Sequence, residues 1–216
     1  MILRVAAGLS IALGTVALGG YLTLVGKGPF ASLEARHLRE MKDRDAEPAR
    51  VAAMDFADFA ALPHQRTVAE YSAFESRGAS LEGYVQRLLR SPDGDLHLEV
   101  APYRRDPGLA DTAYVTAEVT PSWQRRFPEL RYRALLTELR PDHSLSPAWE
   151  GGPRRVRVTG HLLYDFPYDV PYGAPNARRL PFQTGRSMRV TGWEIHPVTR
   201  VEVFDEADSA WRSLTP

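Results

Sequence analysis

The sequence predicts a mainly β protein with helices. A five-stranded barrel carries one helical stretch between its third and fourth strands, and it follows an N-terminal transmembrane helix and a short helical stalk. Three observations predict this. From Ala79 onward, apolar side chains recur at every second position in five separate runs, the period of a strand with one buried face. A single stretch with helical spacing, ending at Pro141, interrupts those runs after the third. At the other end, Arg4 is followed by an uncharged, largely apolar run to Gly26, long enough for the roughly 20 residues that a spanning helix needs.

The chain-wide numbers narrow the chemistry. The 216 residues allow one ordinary domain with extensions, and 44% hydrophobic content suffices for a real core. The formal net charge is +0, so the chain as a whole lacks the basic signature of a nucleic-acid binder. Cysteine is absent, which excludes disulfides, thiolate metal sites, cysteine nucleophiles and a lipidated N-terminal cysteine. Lys27 and Lys42 are the only lysines. Such a bias reflects a GC-rich genome as readily as phosphate binding.

Residues 1–26 are expected to be an uncleaved anchor. The alternative is a cleaved signal peptide with Ala17–Gly19 as its small-residue site, but Tyr21–Val25 continues the apolar run past that site. For orientation, Lys27, Arg36, Arg39, Lys42 and Arg44 after the span count towards a cytoplasmic flank. The short N-terminal tail with Arg4 and the signal-like shape argue the other way, and the soluble part is expected to be exported. Residues 27–66 read as a stalk. Ala35, Leu38 and Met41 after Ser32 suggest a short helix ended by Pro48. A second helix over "TVAEYSAFES" has Thr67 as N-cap and Glu70 three residues on, a capping box. With it the domain begins, 67–205, and 206–216 are read as a tail.

The first barrel strand places Leu81, Gly83 and Val85 on one side and Glu82, Tyr84 and Gln86 on the other. Pro92-Asp93-Gly94 is a turn signal. The second strand then sets Leu96, Leu98 and Val100 against Asp95, His97 and Glu99. The third alternates Val115, Ala117 and Val119 with Tyr114, Thr116 and Glu118. Ser122 caps a short turn, and Pro128 opens a helix with Leu130, Ala134, Leu135 and Leu139 as its apolar stripe. The fourth strand sets Val156, Val158, Gly160 and Leu162 against Arg157, Thr159 and His161. The fifth, "SMRVTGWEIHPVTRVEVF", directs Trp193 and Ile195 inward and Glu194 and His196 outward.

Three strands, a helix and two strands resemble the OB-fold, a five-stranded Greek-key barrel. The phrases "SLEGYV", "GDLHLEV", "VRVTGHLLYD" and "TGWEIHPVTRVEV" resemble those of uncharacterised bacterial membrane-anchored proteins of this barrel type. The resemblance implies a fold and brings no activity with it. An SH3-like barrel is the nearest competitor, and the helix after the third strand argues against it.

Two regions are candidate sites. The connection after the fourth strand, Phe166–Arg186, carries Tyr168, Tyr172, Phe182, Arg178, Arg179 and Arg186. Aromatic faces stack on bases or sugars, and guanidinium groups pair with phosphates. With Trp193 these are the ligand-binding candidates; packing of the loop aromatics on the barrel is the alternative, and for Trp193 the simplest account is an anchor at the barrel mouth. The second region is the polar set His97, Glu99, Glu118, His161, Asp165, Glu194 and His196, of which His97, Glu99, His161, Glu194 and His196 are the candidate metal ligands, because imidazole with carboxylate suits zinc or another divalent transition metal. In the usual barrel of this type strand five closes on strand one, so strand one is expected to separate strands two and five, and the set is expected to be an outward, solvated face. No HExxH, CxxC or GxSxG motif is present, and no catalytic residue is assigned. The expected function is a membrane-tethered binding module for an oligosaccharide, a peptide or a single-stranded nucleic acid, with no cofactor beyond an optional divalent metal. An envelope assembly protein and a metal-dependent enzyme are the alternatives.

Overall fold

A computed structural model describes residues 31–64, 66–104, 113–141, 152–169 and 188–215. It divides the chain into two compact units, residues 1–42 and residues 43–216. Within the first, α1 (Leu33–Lys42) is a ten-residue helix with Glu34 in its first turn and Arg39 and Lys42 in its last, charges that complement the helix dipole. The expected transmembrane segment, 1–26, lies outside the described residues. Among the described residues no helix is long and apolar enough to cross a membrane.

Among the described residues, the second unit is built on seven strands in one sheet. Its elements are β1 (Val51–Met54), α2 (Phe56–Ala60), α3 (Val68–Glu75), β2 (Gly78–Arg90), β3 (Leu96–Ala101), β4 (Tyr114–Val119), α4 (Pro121–Arg126), α5 (Tyr132–Leu139), β5 (Arg155–Tyr164), β6 (Arg189–Asp205) and β7 (Ala210–Ser213). The order β2-β3-β4-β6-β5 returns to β2 through a β2–β5 pairing, so the sheet closes on itself as a ring. β4 and β6 run parallel, and the four other ring pairings are antiparallel. Ring closure leaves the inner strands without an exposed edge.

Two long strands make this closure work. β2 gives one edge to β5 over Gly78–Tyr84 and divides the other between β1, at Gly78–Leu81, and β3, at Tyr84–Arg90. β6 does the same, pairing β4 with its first half and β7 with Glu202–Asp205. Neither β1 nor β7 is anticipated by the sequence reading, which leaves 43–66 in a stalk and 206–216 as a tail. Both strands are four residues long, with too little alternation to register.

Inside the ring the predicted alternation holds. Leu81, Val85, Leu98, Val100, Val115, Ala117, Val119, Val156, Val158, Leu162, Trp193 and Ile195 are all fully buried. The connection between β4 and β5 adds Trp123, Leu130, Leu135 and Leu139 to the same core. The helix expected to start at Pro128 begins instead with a single 3-10 turn, Pro128–Leu130, before α5. Thr67 and Glu70 form the capping box expected at the start of α3.

Residues 43–66 are tied into the barrel by Arg44. Its guanidinium donates to the carbonyls of Glu75, Leu162 and His196 at 2.9, 3.1 and 3.0 Å, and its own carbonyl accepts from Trp123 Nε1 at 3.2 Å. Burial lowers the Arg44 pKa to about 10, against the opposing pull of Glu75, so the side chain stays charged at neutral pH.

Candidate functional site

The alternation that directs apolar residues inward sends a second set of side chains outward from β3, β4 and β6. Register aligns them. His97 faces Glu118 and Glu99 faces Thr116 across the antiparallel β3–β4 pair. Thr116 in turn faces Glu194 across the parallel β4–β6 pair. β4 therefore bridges the second and fifth barrel strands, and the separation expected between them does not exist: the fifth strand closes the ring against the third and fourth, not the first.

The result is a polar network. Glu118 lies between two imidazoles, with Oε1 at 2.9 Å from His97 Nδ1 and Oε2 at 3.0 Å from His196 Nδ1. His196 Nδ1 is also 3.0 Å from Glu194 Oε1, and its Nε2 is 3.5 Å from Asp95 Oδ2. Glu99 accepts from Gln86 Nε2 at 3.3 Å and lies 3.7 Å from Arg87. Gln86 reaches it because β2 bulges between Val85 and Arg87, where the register slips by one residue; a bulge of this kind re-aims a side chain.

The expectation of a wet outer face is corrected here. Glu194 and His196 are 0% exposed, and Asp95, Glu99 and Glu118 are buried as well. Period two distinguishes the two sides of a strand, but it does not say whether other parts of the chain cover the outer one. Arg189, at the start of β6, lies 3.6 Å from Glu194 Oε2. Burial works against its charge, but the fields of Glu194, Asp165, Tyr114 and Glu118 outweigh this and raise its pKa above the ordinary value. It is a permanent cation inside the network.

Of the expected metal ligands, His97, Glu99, Glu194 and His196 belong to this network, whereas His161 does not. The His161 Nε2 is 2.8 Å from the carbonyl of Ala46. Burial lowers its pKa; the Ala46 hydrogen bond opposes that shift and the Arg44 cation adds to it. A neutral ring donating Nε2–H to Ala46 satisfies the contact. Glu118, part of the expected polar set, joins the network, and Asp95 and Arg189 complete it from outside that set. Asp95 is legible as an outward residue of the second strand. Arg189 carried no signal beyond being one more arginine.

Of the ligand-binding candidates, Tyr168 and Trp193 are described. Tyr168 is 52% exposed, with the Arg189 guanidinium 4.9 Å from its ring centroid. Trp193 is fully buried. Its indole N–H donates to Pro63 O at 2.8 Å, and its ring packs 5.0 Å from Tyr164 and 5.8 Å from Phe74. Trp193 is therefore a core anchor, the simpler of the two roles expected for it, and its listing among the ligand-binding candidates is corrected. Tyr172, Arg178, Arg179, Phe182 and Arg186 lie outside the described residues.

A second hydrogen-bonded chain stands beside the aromatic cluster. Tyr164 OH donates to Asp169 Oδ2, and Asp169 Oδ1 is 2.6 Å from His64 Nδ1. Elsewhere, a cleft of about 600 Å³ near the β6–β7 turn is lined by Arg104, Arg140, Arg154, Arg155 and Arg212. Several of these cations already have carboxylates: Arg154 and Arg212 converge on Glu138, and Arg155 reaches Glu82.

Chemically, the β3–β4–β6 network combines imidazole with carboxylate in a dry setting, a combination suited to holding a cation or moving a proton. No protein-family model and no curated protein matches the chain.

Proposed function

We propose that the chain is a membrane-tethered binding module built on an OB-type barrel. The observation that carries this reading is the connectivity: a ring in the order β2-β3-β4-β6-β5, parallel between β4 and β6, with a helical crossover from β4 to β5. OB-type barrels take their ligands across the second and third strands and the adjoining loops. In this chain those strands are β3 and β4, and the loop after the fourth strand is the connection from β5 to β6.

Exposed Tyr168, with Arg189 against its ring, stands at the start of that connection. Tyr172, Arg178, Arg179, Phe182 and Arg186 supply further aromatic and guanidinium groups along it. A formal net charge of +0 favours an oligosaccharide or a peptide over a single-stranded nucleic acid, whose binding draws on excess positive charge. The uncharged run to Gly26 supplies the tether.

Glycan and peptide arrays probed with the full chain in detergent test the reading, with a single-stranded oligonucleotide as a third arm. The expected result is binding on a glycan or peptide arm that Arg178→Glu with Arg179→Glu weakens at least tenfold. Binding unchanged in that double variant removes the connection from the site. Full chain that washes off membranes in alkaline carbonate removes the tether.

A further inference from the structure

We propose that Asp95, Glu118 and His196 bind one divalent transition metal, with zinc the best fit, and that Glu194 orients His196 from behind. This inference stands independently of the binding-module reading, because it draws only on side chains of β3, β4, β6 and the turn before β3.

The geometry is the first argument. One donor atom from each of Asp95, Glu118 and His196 lies within 4.8 Å of the other two, and all three residues are buried. The 3.5 Å between His196 Nε2 and Asp95 Oδ2 is long for a hydrogen bond between ionised groups. It matches the edge between two ligands at about 2.1 Å from a tetrahedral zinc, about 3.4 Å. His196 and Glu118 come from neighbouring strands of a closed ring, and Asp95 follows directly on the Pro92–Gly94 turn. Glu118 and His196 are held by sheet strands, and Asp95 stands one residue before β3.

The second argument concerns the other face of the imidazole. A metal-bound histidine commonly donates its remaining ring N–H to a carboxylate, which fixes the tautomer and the ring plane. Glu194 Oε1 is placed for that, 3.0 Å from His196 Nδ1. Arg189 holds Glu194 in turn, at 3.6 Å from Oε2. Glu118 Oε2 also lies 3.0 Å from Nδ1, yet Nδ1 has at most one hydrogen for these two carboxylates. With Nδ1–H on Glu194, Glu118 is released to turn towards a cation while His97 keeps its other oxygen.

An independent observation points the same way. Glu194 Oε2 and Thr116 Oγ1 are buried, and among the described residues neither makes a hydrogen bond. Both residues are 0% exposed and face each other across β4 and β6. Buried polar atoms are normally satisfied. Two such atoms leave this network with polar capacity that the described side chains do not fill. Three protein ligands leave a fourth zinc position for water or a ligand oxygen.

The test uses the full chain in detergent, purified without a histidine tag, stripped with a chelator and dialysed. Zinc is titrated with elemental analysis as the readout, and cobalt(II) is titrated with visible absorption as the readout. One metal per chain is expected, with the intense cobalt bands of a four-coordinate site. Asp95→Asn should lower zinc affinity at least 100-fold. Glu194→Gln should lower it about 10–100-fold while leaving the stoichiometry at one, as removal of an outer partner does. His161→Ala should bind as tightly as the parent.

X-ray absorption at the zinc edge of the unmutated chain gives a readout that no folding defect can confuse. It should show a nitrogen and oxygen shell containing a single imidazole. Folded parent protein that retains less than a tenth of an equivalent after exposure to zinc and cobalt overturns the proposal. So does a shell with two or more imidazoles, or undiminished binding in Asp95→Asn.

Discussion

Gly160 is where the ring depends most on a single missing side chain. Opposite it, β6 carries more residues than β5 can match. Thr159 pairs with Arg200, Gly160 with Val198 and Leu162 with Ile195, so His196 and Pro197 together oppose His161 alone. This bulge pushes the Pro197 carbonyl into the space above Gly160. A Cβ at residue 160 would stand 2.2 Å from Pro197 O, 2.8 Å from Ile195 Cγ2 and 2.8 Å from Val198 Cα. Two of those three atoms are backbone, which cannot rotate away. Overpacking in a tight interior costs about 1–3 kcal/mol, and three contacts this close place Gly160→Ala at the top of that range, about 3 kcal/mol.

For a domain of this size each kcal/mol lowers Tm by about 2–4 °C, so Gly160→Ala should melt about 6–12 °C below the parent. Circular dichroism of the full chain in detergent measures this. Thr159→Ala is the internal comparison. It removes the 3.0 Å bond from Thr159 Oγ1 to Ser80 Oγ, worth about 1 kcal/mol. The same bulge fixes where His196 stands, so Gly160→Ala should also weaken the network around Glu118 and Glu194. A Tm within about 2 °C of the parent would mean that β6 does not press on Gly160, and the reading of both bulge and ring closure would fail with it.

Two further outcomes follow from buried groups. Burial holds the His161 pKa below its unfolded value of about 6.5, so the unfolded chain binds more protons and stability is lost as pH falls below about 6.5. His161→Gln should flatten the change in denaturation midpoint between about pH 7.5 and 5.5, and NMR should show the ring titrating below 6.5; an upward shift would reverse the sign. Arg44→Met leaves the carbonyls of Glu75, Leu162 and His196 without this donor. At about 1–3 kcal/mol for each stranded group, offset by relaxation and water, a loss of about 3 kcal/mol in urea unfolding is expected, and one below about 0.5 kcal/mol would show that 43–66 is not anchored there.

The sequence carried the inside of the barrel more clearly than its outside. Leu98, Ala117 and Ile195 alternate with polar neighbours, and strand geometry alone then assigns them inward. The Thr67–Glu70 capping box was legible for the same reason: its geometry is local. Pairing between β4 and β6 was not, since no local pattern announces a parallel closure between residues some 80 positions apart. That one pairing decides whether His97 and His196 share a network. Arg44 was hidden among stalk charges because its partners are backbone carbonyls far along the chain. Trp193 was ambiguous as an anchor or a platform until Pro63 supplied the acceptor for its indole.

The two faces of β3, β4 and β6 act on stability in opposite directions. Their inward sides supply the apolar burial that drives folding. Their outward sides bury Asp95, Glu99, Glu118 and Glu194 with His97 and His196 alongside, and taking carboxylates out of water is costly even when they are paired. Apolar residues of similar volume would cover this face at lower cost, as replacements of buried ion networks in other proteins show. Glu194 makes the point most sharply: it is 0% exposed, its ion pair with Arg189 spans 3.6 Å, and one of its oxygens makes no hydrogen bond among the described residues. A barrel selected for stability alone would not keep that carboxylate, whereas one that must orient His196 towards a cation requires it.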